Sequence, residues 1–454
     1  MKDDLSNKKI TVLGMAKSGI AAARLLSDAG ARIFVSDSGD SELLAAATAE
    51  LDAMSIKYET GGHTEHALEA EFIVTSPGVP ETAGIIGQAL EAELPIYSEL
   101  ECASWFSDGK IAAITGSNGK TTCTALLGEM MKQSFDDVRL GGNIGTPFSS
   151  LVGKGDTNKT IYILEVSSFQ LKWIDKFHPV AATVLNVTPD HLDWHTNYES
   201  YVNAKERITE NMTSDNYFIY NSDDTESTRI ASNSAAKNIS FSVKTKLDNG
   251  CWLEDSELRL KYESIDETVI NVNDLKLPGI HNVANAAACI LLATTGGASI
   301  IRSGSALLAF PGVQHRLETV RVLNEVSYVN DSKSTNVDSM TVALNSFDEP
   351  IILIAGGRDK GSDFESIKEL VSRKVKTLIL IGEAAEKISR SFSSIADKRV
   401  SPNLKDAVVV AERLSVAGDV VLLSPGCASF DMFRNYEERG EVFANEVKAL
   451  GEAV

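Results

Sequence analysis

"AAITGSNGKTT", residues 112–122, joins a strand-like run to a helix-like segment and departs from the usual phosphate-loop pattern. In G-x-x-x-x-G-K-[ST] the leading glycine lies five places before the second. Here Gly119-Lys120-Thr121 are in register, but Ile114 holds the leading position and the early glycine is Gly116. A loop of small residues between a strand and a helix still gathers backbone N–H groups and the positive end of a helix dipole around one point. Lys120 can add a charge at the β/γ-phosphates, and Thr121 a hydroxyl for Mg²⁺. The lost glycine changes the entry into the loop, while Gly116, Ser117, Asn118, Gly119, Lys120, Thr121 and Thr122 keep the nest. The stretch reads as a nucleotide site on a strand–loop–helix unit of an α/β fold.

Upstream the chain also reads β-loop-α-β. "KITVLG" is a short strand, "AKSGIAAARLLSDAG" has helical apolar spacing and "ARIFVSD" is a second strand. Gly14-x-Ala16-x-x-Gly19, with Asp37 closing the second strand, resembles a dinucleotide fingerprint. Ala16 replaces its middle glycine and limits how closely a diphosphate approaches the backbone. "EFIVTSPGVP" adds a strand and a turn holding Ser76.

Downstream, "TIYILEV" and "VAATVLNV" are further strands, 213–277 reads as a small antiparallel excursion, and "HNVANAAACILLATTGG" reads as a core helix. After "AFPGVQHRLE", four apolar runs each end in a glycine- or serine-rich loop, where open parallel sheets place ligands. The expected architecture is three α/β domains: 1–98 Rossmann-like, 99–312 a central P-loop-type ATPase domain, and 313–454 Rossmann-like again. A chain of 454 residues is too long for one core.

The net charge of −20 argues against a nucleic-acid or anionic-membrane surface. No run reaches a membrane span and no leader segment is visible, so a cytoplasmic protein is expected. Five scattered cysteines without a CxxC pair fit reduced thiols.

Several polar residues sit where chemistry is expected. Glu165 ends a strand in "LEVSSFQL", either as a solvated rim residue or as a carboxylate completing a metal shell. "NVTPDHLDWH" brings His191, Asp193 and His195 into one loop without a closed zinc spacing. Lys205 looks like a solvated helix lysine, and Asn143 in "GGNIGTP" is a turn former or a substrate contact. Asn282 and Asn285 lie one turn apart at a helix start, where capping accounts for one of them.

Together "TGSNGKTT", "GGNIG", "EVSSFQL", "NVTPDHLDWH", "HNVANAAA", "QHR" and "NDSKSTN" resemble the Mur ligases, over almost the whole chain. The resemblance implies ATP-dependent activation of a substrate carboxylate as an acyl phosphate, which an amino acid's amine then attacks. It implies UDP-N-acetylmuramoyl-L-alanine and D-glutamate as the partners, and a monomer. It implies that Lys120 and Thr121 hold phosphates and Mg²⁺, with Glu165 on that metal. His191 and Lys205 would serve a second Mg²⁺, Lys205 as the carbamylated lysine of the family. Asn143 would contact the muramoyl substrate, Asn282 and Arg316 the nucleotide, Asp331 the ribose, and Lys333 the reacting phosphate. UDP would lie on Gly14, Lys17, Ser18, Asp37, Ser38 and Ser76. D-Glutamate would be held by Thr335, Lys360, Ser429, Phe430 and Tyr436.

Two rival readings leave residues unexplained. A nicotinamide dehydrogenase accounts only for the first 40 or so residues. A folylpolyglutamate-type ligase shares the ATP loop but usually lacks the N-terminal region.

Overall fold

The computed structural model describes residues 5–41, 44–153, 155, 157–191, 194–277, 279–359 and 361–451. Asp193 and Lys360 therefore lie outside the described residues. Contacts divide the chain into two compact units, Met1–Asp274 with Ala284–Leu308, and Leu275–Val283 with Ala309–Val454.

The first unit holds two sheets. One is five-stranded and parallel throughout, in the order Lys57–Glu59, Arg32–Ser36, Lys9–Leu13, Phe72–Thr75, Ile96–Ser98. Its middle strands are near-continuous β-branched runs because parallel strands are covered on both faces; Val12, Val35 and Val74 are buried. The other has nine strands, in the order Ile265–Asn271, Glu257–Tyr262, Gly250–Glu254, Lys237–Ser242, Tyr217–Asn221, Ala181–Val184, Lys110–Thr115, Ile161–Glu165, Val138–Gly142.

The expected antiparallel excursion is confined to the three strands from Gly250 onward. Tyr217–Asn221 and Lys237–Ser242 pair in parallel. The polar stretch between them forms the helix Thr225–Asn233, which Asp224 caps by accepting the Ser227 N–H, and so makes a crossover rather than a hairpin.

The strand Lys110–Thr115 is an interior strand of this sheet, with Ala113 and Ile114 fully buried, so the loop at its end is fixed by the core beneath it. The helix Ile280–Thr295 begins before both asparagines, so neither Asn282 nor Asn285 is its cap, and Ala286–Ala293 are buried.

The second unit carries a six-stranded sheet: Glu318–Leu323, Val326–Asn330, Val420–Leu423, Ile351–Gly356, Val375–Ile381, Asp397–Val400. Only its first pair is antiparallel. "NDSK", "GGRD" and "SPGCASF" follow the ends of three adjacent parallel strands, where doubly wound sheets bind ligands. All five cysteines are buried free thiols, and no described helix is long and apolar enough to cross a membrane.

Candidate active site

The helix Lys120–Lys132 starts at Gly119, whose φ of 88° is left-handed. A Cβ there would also sit 2.5 Å from Asn285 Oδ1, so only glycine fits this turn. The loop is held from below. Ser117 Oγ donates to Thr188 O at 2.9 Å and meets the Tyr201 hydroxyl at 2.8 Å. Asn186 Oδ1 accepts the Asn118 N–H at 2.9 Å. Lys120 Nζ donates to Gly116 O and Ser117 O, both at 2.8 Å. A lysine held over its own loop is placed to exchange those carbonyls for phosphate oxygens.

Glu165 is no rim residue: it is buried at the end of its strand. Its Oε2 accepts the Thr121 hydroxyl at 2.7 Å and its Oε1 accepts Asn143 Nδ2 at 3.3 Å. The Asn143 N–H also donates to Glu165 O at 2.8 Å. Three of the expected residues, Thr121, Asn143 and Glu165, thus form one hydrogen-bonded group.

Lys205 is buried as well, at 1% exposure, and not solvated. Its Nζ donates to Gly116 O at 2.9 Å and lies 4.6 Å from the centre of the Tyr201 ring. Burial first, and the Lys120 charge second, hold its pKa well below the usual lysine value, while Asp190 and Glu165 oppose them.

The two histidines separate clearly. His191 is partly open, with a backbone φ of 54° and Nε2 3.6 Å from Asp190 Oδ2. His195 is buried, its Nε2 bonded to Ser168 Oγ at 2.9 Å, and burial pushes its pKa down to about 4. It belongs to the aromatic core with Phe169, Trp194 and Tyr201.

This donor set suits Mg²⁺ better than a transition metal. A hydroxyl and a carboxylate are hard oxygen ligands, and among the described residues no group of three His, Cys, Asp or Glu side chains could enclose an ion. An ion that keeps water and phosphate oxygens in its shell needs only such a partial site. Lys205 fits as a ligand only if its amine is converted to an anion.

In the N-terminal sheet, Asp37 ties the Gly14 loop to the end of the second strand. Its Oδ2 accepts the Met15 N–H at 2.6 Å and its Oδ1 accepts the Gly39 N–H at 2.7 Å. Ser76 Oγ faces Gly14 and is buried without a hydrogen-bond partner among the described residues. Lys17 is exposed on the edge of a cavity of about 480 Å³, which Arg24, Pro147 and Ser150 also line. Ser18 is half-buried and Ser38 exposed.

In the second unit, Asp331 is buried. Its Oδ1 accepts the Leu317 N–H at 3.2 Å and its Oδ2 the Ser424 hydroxyl at 3.0 Å. Burial raises its pKa to about 6 against the pull of Arg316. Lys333 Nζ lies 5.5 Å from the centre of the Tyr436 ring. Thr335 is half-buried, Ser429 buried and Phe430 60% exposed. Asn282 is buried in the first turn of its helix, in this unit.

Asn186, Tyr201 and Arg439 support these sites but were not singled out from sequence. "LNVTP" and "YVNAK" gave no sign that Asn186 and Tyr201 reach back to the phosphate loop.

Family models match three consecutive regions: a Mur ligase MurD-like N-terminal domain over 8–98, a Mur ligase middle domain over 114–293, and a Mur ligase glutamate ligase domain over 315–427. The chain is 41% identical to the UDP-N-acetylmuramoylalanine–D-glutamate ligase of Salinibacter ruber, covering 99% of each chain. It is likewise 41% identical to the ligase of that name from Geotalea uraniireducens, over 98% of each. Among solved structures it resembles the UDP-N-acetylmuramate–alanine ligase MurC of Thermotoga maritima, with a TM-score of 0.61 at 19% identity over 98% of this chain and 100% of that one. The MurF ligase of Thermotoga maritima, solved in complex with ADP, matches with a TM-score of 0.55 at 16% identity over 85% of this chain and 91% of that one.

Proposed function

The chain belongs to the Mur ligase family, and we propose that it joins D-glutamate to UDP-N-acetylmuramoyl-L-alanine at the expense of ATP. The observation that carries this reading is the hydrogen-bonded group of Thr121, buried Glu165 and Asn143 at the mouth of the phosphate loop, with Lys120 and Lys205 on the same loop's carbonyls. A carboxylate is a poor acyl donor until one of its oxygens becomes a leaving group. In the proposed sequence, the alanyl carboxylate attacks the γ-phosphorus and ADP leaves. The neutral amine of D-glutamate then adds to the acyl carbon, phosphate departs with one former carboxylate oxygen, and the amine gives up a proton.

Phosphoryl transfer needs positioning and charge neutralisation more than covalent help. Backbone N–H groups of Gly116 to Thr122 and the Lys120 ammonium supply that for ATP. Mg²⁺ held by Thr121 and Glu165, and a second ion served by His191 and Lys205, would neutralise phosphate charge. The low pKa of Lys205 supports its carbamylation, because only the neutral amine adds CO2, forming an N-linked carboxylate and releasing a proton. Asn143 would orient the muramoyl substrate, with UDP on Gly14, Lys17, Ser18, Asp37, Ser38 and Ser76. Asn282, Arg316 and Asp331 would hold the nucleotide, and Lys333 would lie near the transferring phosphoryl. Thr335, Lys360, Ser429, Phe430 and Tyr436 would hold D-glutamate. The boundaries 1–98, 99–312 and 313–454, a monomer and a cytoplasmic site of action complete the reading.

Phosphate release from ATP with UDP-N-acetylmuramoyl-L-alanine tests it across a panel of amino acids. D-Glutamate alone should support rapid release, with L-glutamate, L-alanine and L-lysine near background. A better response to L-alanine or a diamino acid refutes the D-glutamate assignment.

A further inference from the structure

Arg439, on the helix Tyr436–Ala449, is the largest fully buried side chain of the described protein, at 1% exposure. Burial lowers its pKa to about 10. Among the described residues no carboxylate pairs with it. Its donors go to neutral groups instead: Nε to Ser332 Oγ at 3.0 Å, Nη2 to Ser332 O at 2.8 Å, and both Nη atoms to Cys427 O at 3.1 Å. A buried cation with no direct ion pair is costly, the charges of Asp431 and Asp331 offsetting its burial only in part, and an apolar side chain of similar volume commonly serves stability as well or better. The cost calls for a geometric task.

The partners show what that task is. Ser332 lies between Asp331 and Lys333, and Cys427 lies two residues before Ser429. A third loop is drawn in at Gly357, where a Cβ would collide with Ala428 O and lie 3.2 Å from Arg439 Nη1. Next to it, Arg358 and Ala428 exchange backbone hydrogen bonds of 2.9 and 3.0 Å. One planar guanidinium therefore spans two loops at adjacent strand ends and touches a third. These are the loops that carry the contacts proposed for the amino-acid substrate.

We infer that Arg439 is a positioning residue that sets the spacing of the D-glutamate contacts by bridging Ser332 to Cys427. The inference rests on the D-glutamate reading above. Arg439 does not itself touch the substrate. Lysine cannot replace it, because one ammonium on a flexible stem cannot bond both carbonyls and the hydroxyl in the fork geometry. Asp331 has separate anchors in Ser424 and the Leu317 N–H, so the contact proposed for the ribose is held independently.

The test compares wild type with Arg439→Lys and Arg439→Met by steady-state kinetics on enzyme counted by active-site titration. The expected result is a D-glutamate KM raised at least about tenfold, with the KM values for ATP and UDP-N-acetylmuramoyl-L-alanine within about threefold of wild type; misplacement by about 1 Å is enough to cost this much. In Arg439→Ala, added guanidinium ion should lower the D-glutamate KM again, and methylammonium should not. A D-glutamate KM within twofold of wild type in the lysine or methionine variant overturns the inference. So does an equal rise in all three KM values, or a loss confined to the titratable fraction. If wild type itself does not depend on D-glutamate, the proposed function fails instead, which separates the two outcomes.

Discussion

Replacing Lys205 by alanine removes a side chain that is 1% exposed and whose amine donates to Gly116 O at 2.9 Å. Burial first, and the Lys120 charge second, push the pKa of its amine well below 10.5. As a carbamate it would supply an anionic oxygen ligand close to Glu165. Loss of one preorganised charge-stabilising group costs about 10²–10³ in kcat, so the alanine variant should lose about that much in phosphate release. Acetate or another short carboxylate should restore part of it by filling the vacated space with a negative oxygen donor. Carbon-13 NMR of wild type in labelled bicarbonate should show a carbamate signal that Lys205→Met lacks.

The unmodified amine makes a second, thermodynamic prediction. Between its depressed folded pKa and 10.5 the unfolded chain binds more protons, so stability rises with pH over that window. Lys205→Met should remove that slope. An alanine variant within a few-fold of wild type, together with no carbamate signal, refutes the reasoning and makes Lys205 a packing residue.

Lys120→Ala should lose about 10²-fold or more in turnover with an unchanged melting temperature, read by phosphate release and calorimetry. Gly119→Ala forces a side chain into φ 88° and against Asn285 Oδ1. It should cost about 1–3 kcal/mol of stability and raise the ATP KM, as measured by denaturant unfolding and kinetics. Glu99 is buried with Oε2 unpartnered among the described residues, and burial raises its pKa from 4.5 to about 7. Its contribution is therefore full below pH 4.5 and lost as pH rises through 7. Glu99→Gln keeps the neutral form and should be more stable above pH 7 by on the order of 3 kcal/mol, at about 1.4 kcal/mol per pH unit. Urea unfolding at pH 5 and pH 8 reads the difference.

The phosphate loop was legible because strand, small-residue turn and helix are contiguous, and Lys120 and Thr121 carry their chemistry in local spacing. Parallel strands were legible for the same reason, since burial on both faces leaves continuous apolar runs such as "IILIAG". What the local pattern could not give was where long side chains end. Lys205 and Glu165 resemble surface residues in sequence, yet both are buried because partners distant in sequence, Gly116 and Thr121, satisfy them. His191 and His195 share one loop and one residue type, but only the fold shows that His195 is enclosed by aromatic rings. The parallel pairing of Lys237–Ser242 was missed because the polar segment before it is a helix held by Asp224, a cap read only once its register is known. Arg439 gave no signal at all, since nothing in "NYEERG" separates a buried arginine from a solvated one.

The central claim is that the variant loop transfers the γ-phosphoryl of ATP to a carboxylate before the amide forms. UDP-N-acetylmuramoyl-L-alanine labelled with oxygen-18 in the alanyl carboxylate tests it directly, by mass analysis of the phosphate released in the presence of D-glutamate and ATP. One labelled oxygen should appear in inorganic phosphate for every amide formed, and none in the nucleotide. Unlabelled phosphate, or label carried into AMP, would contradict the account.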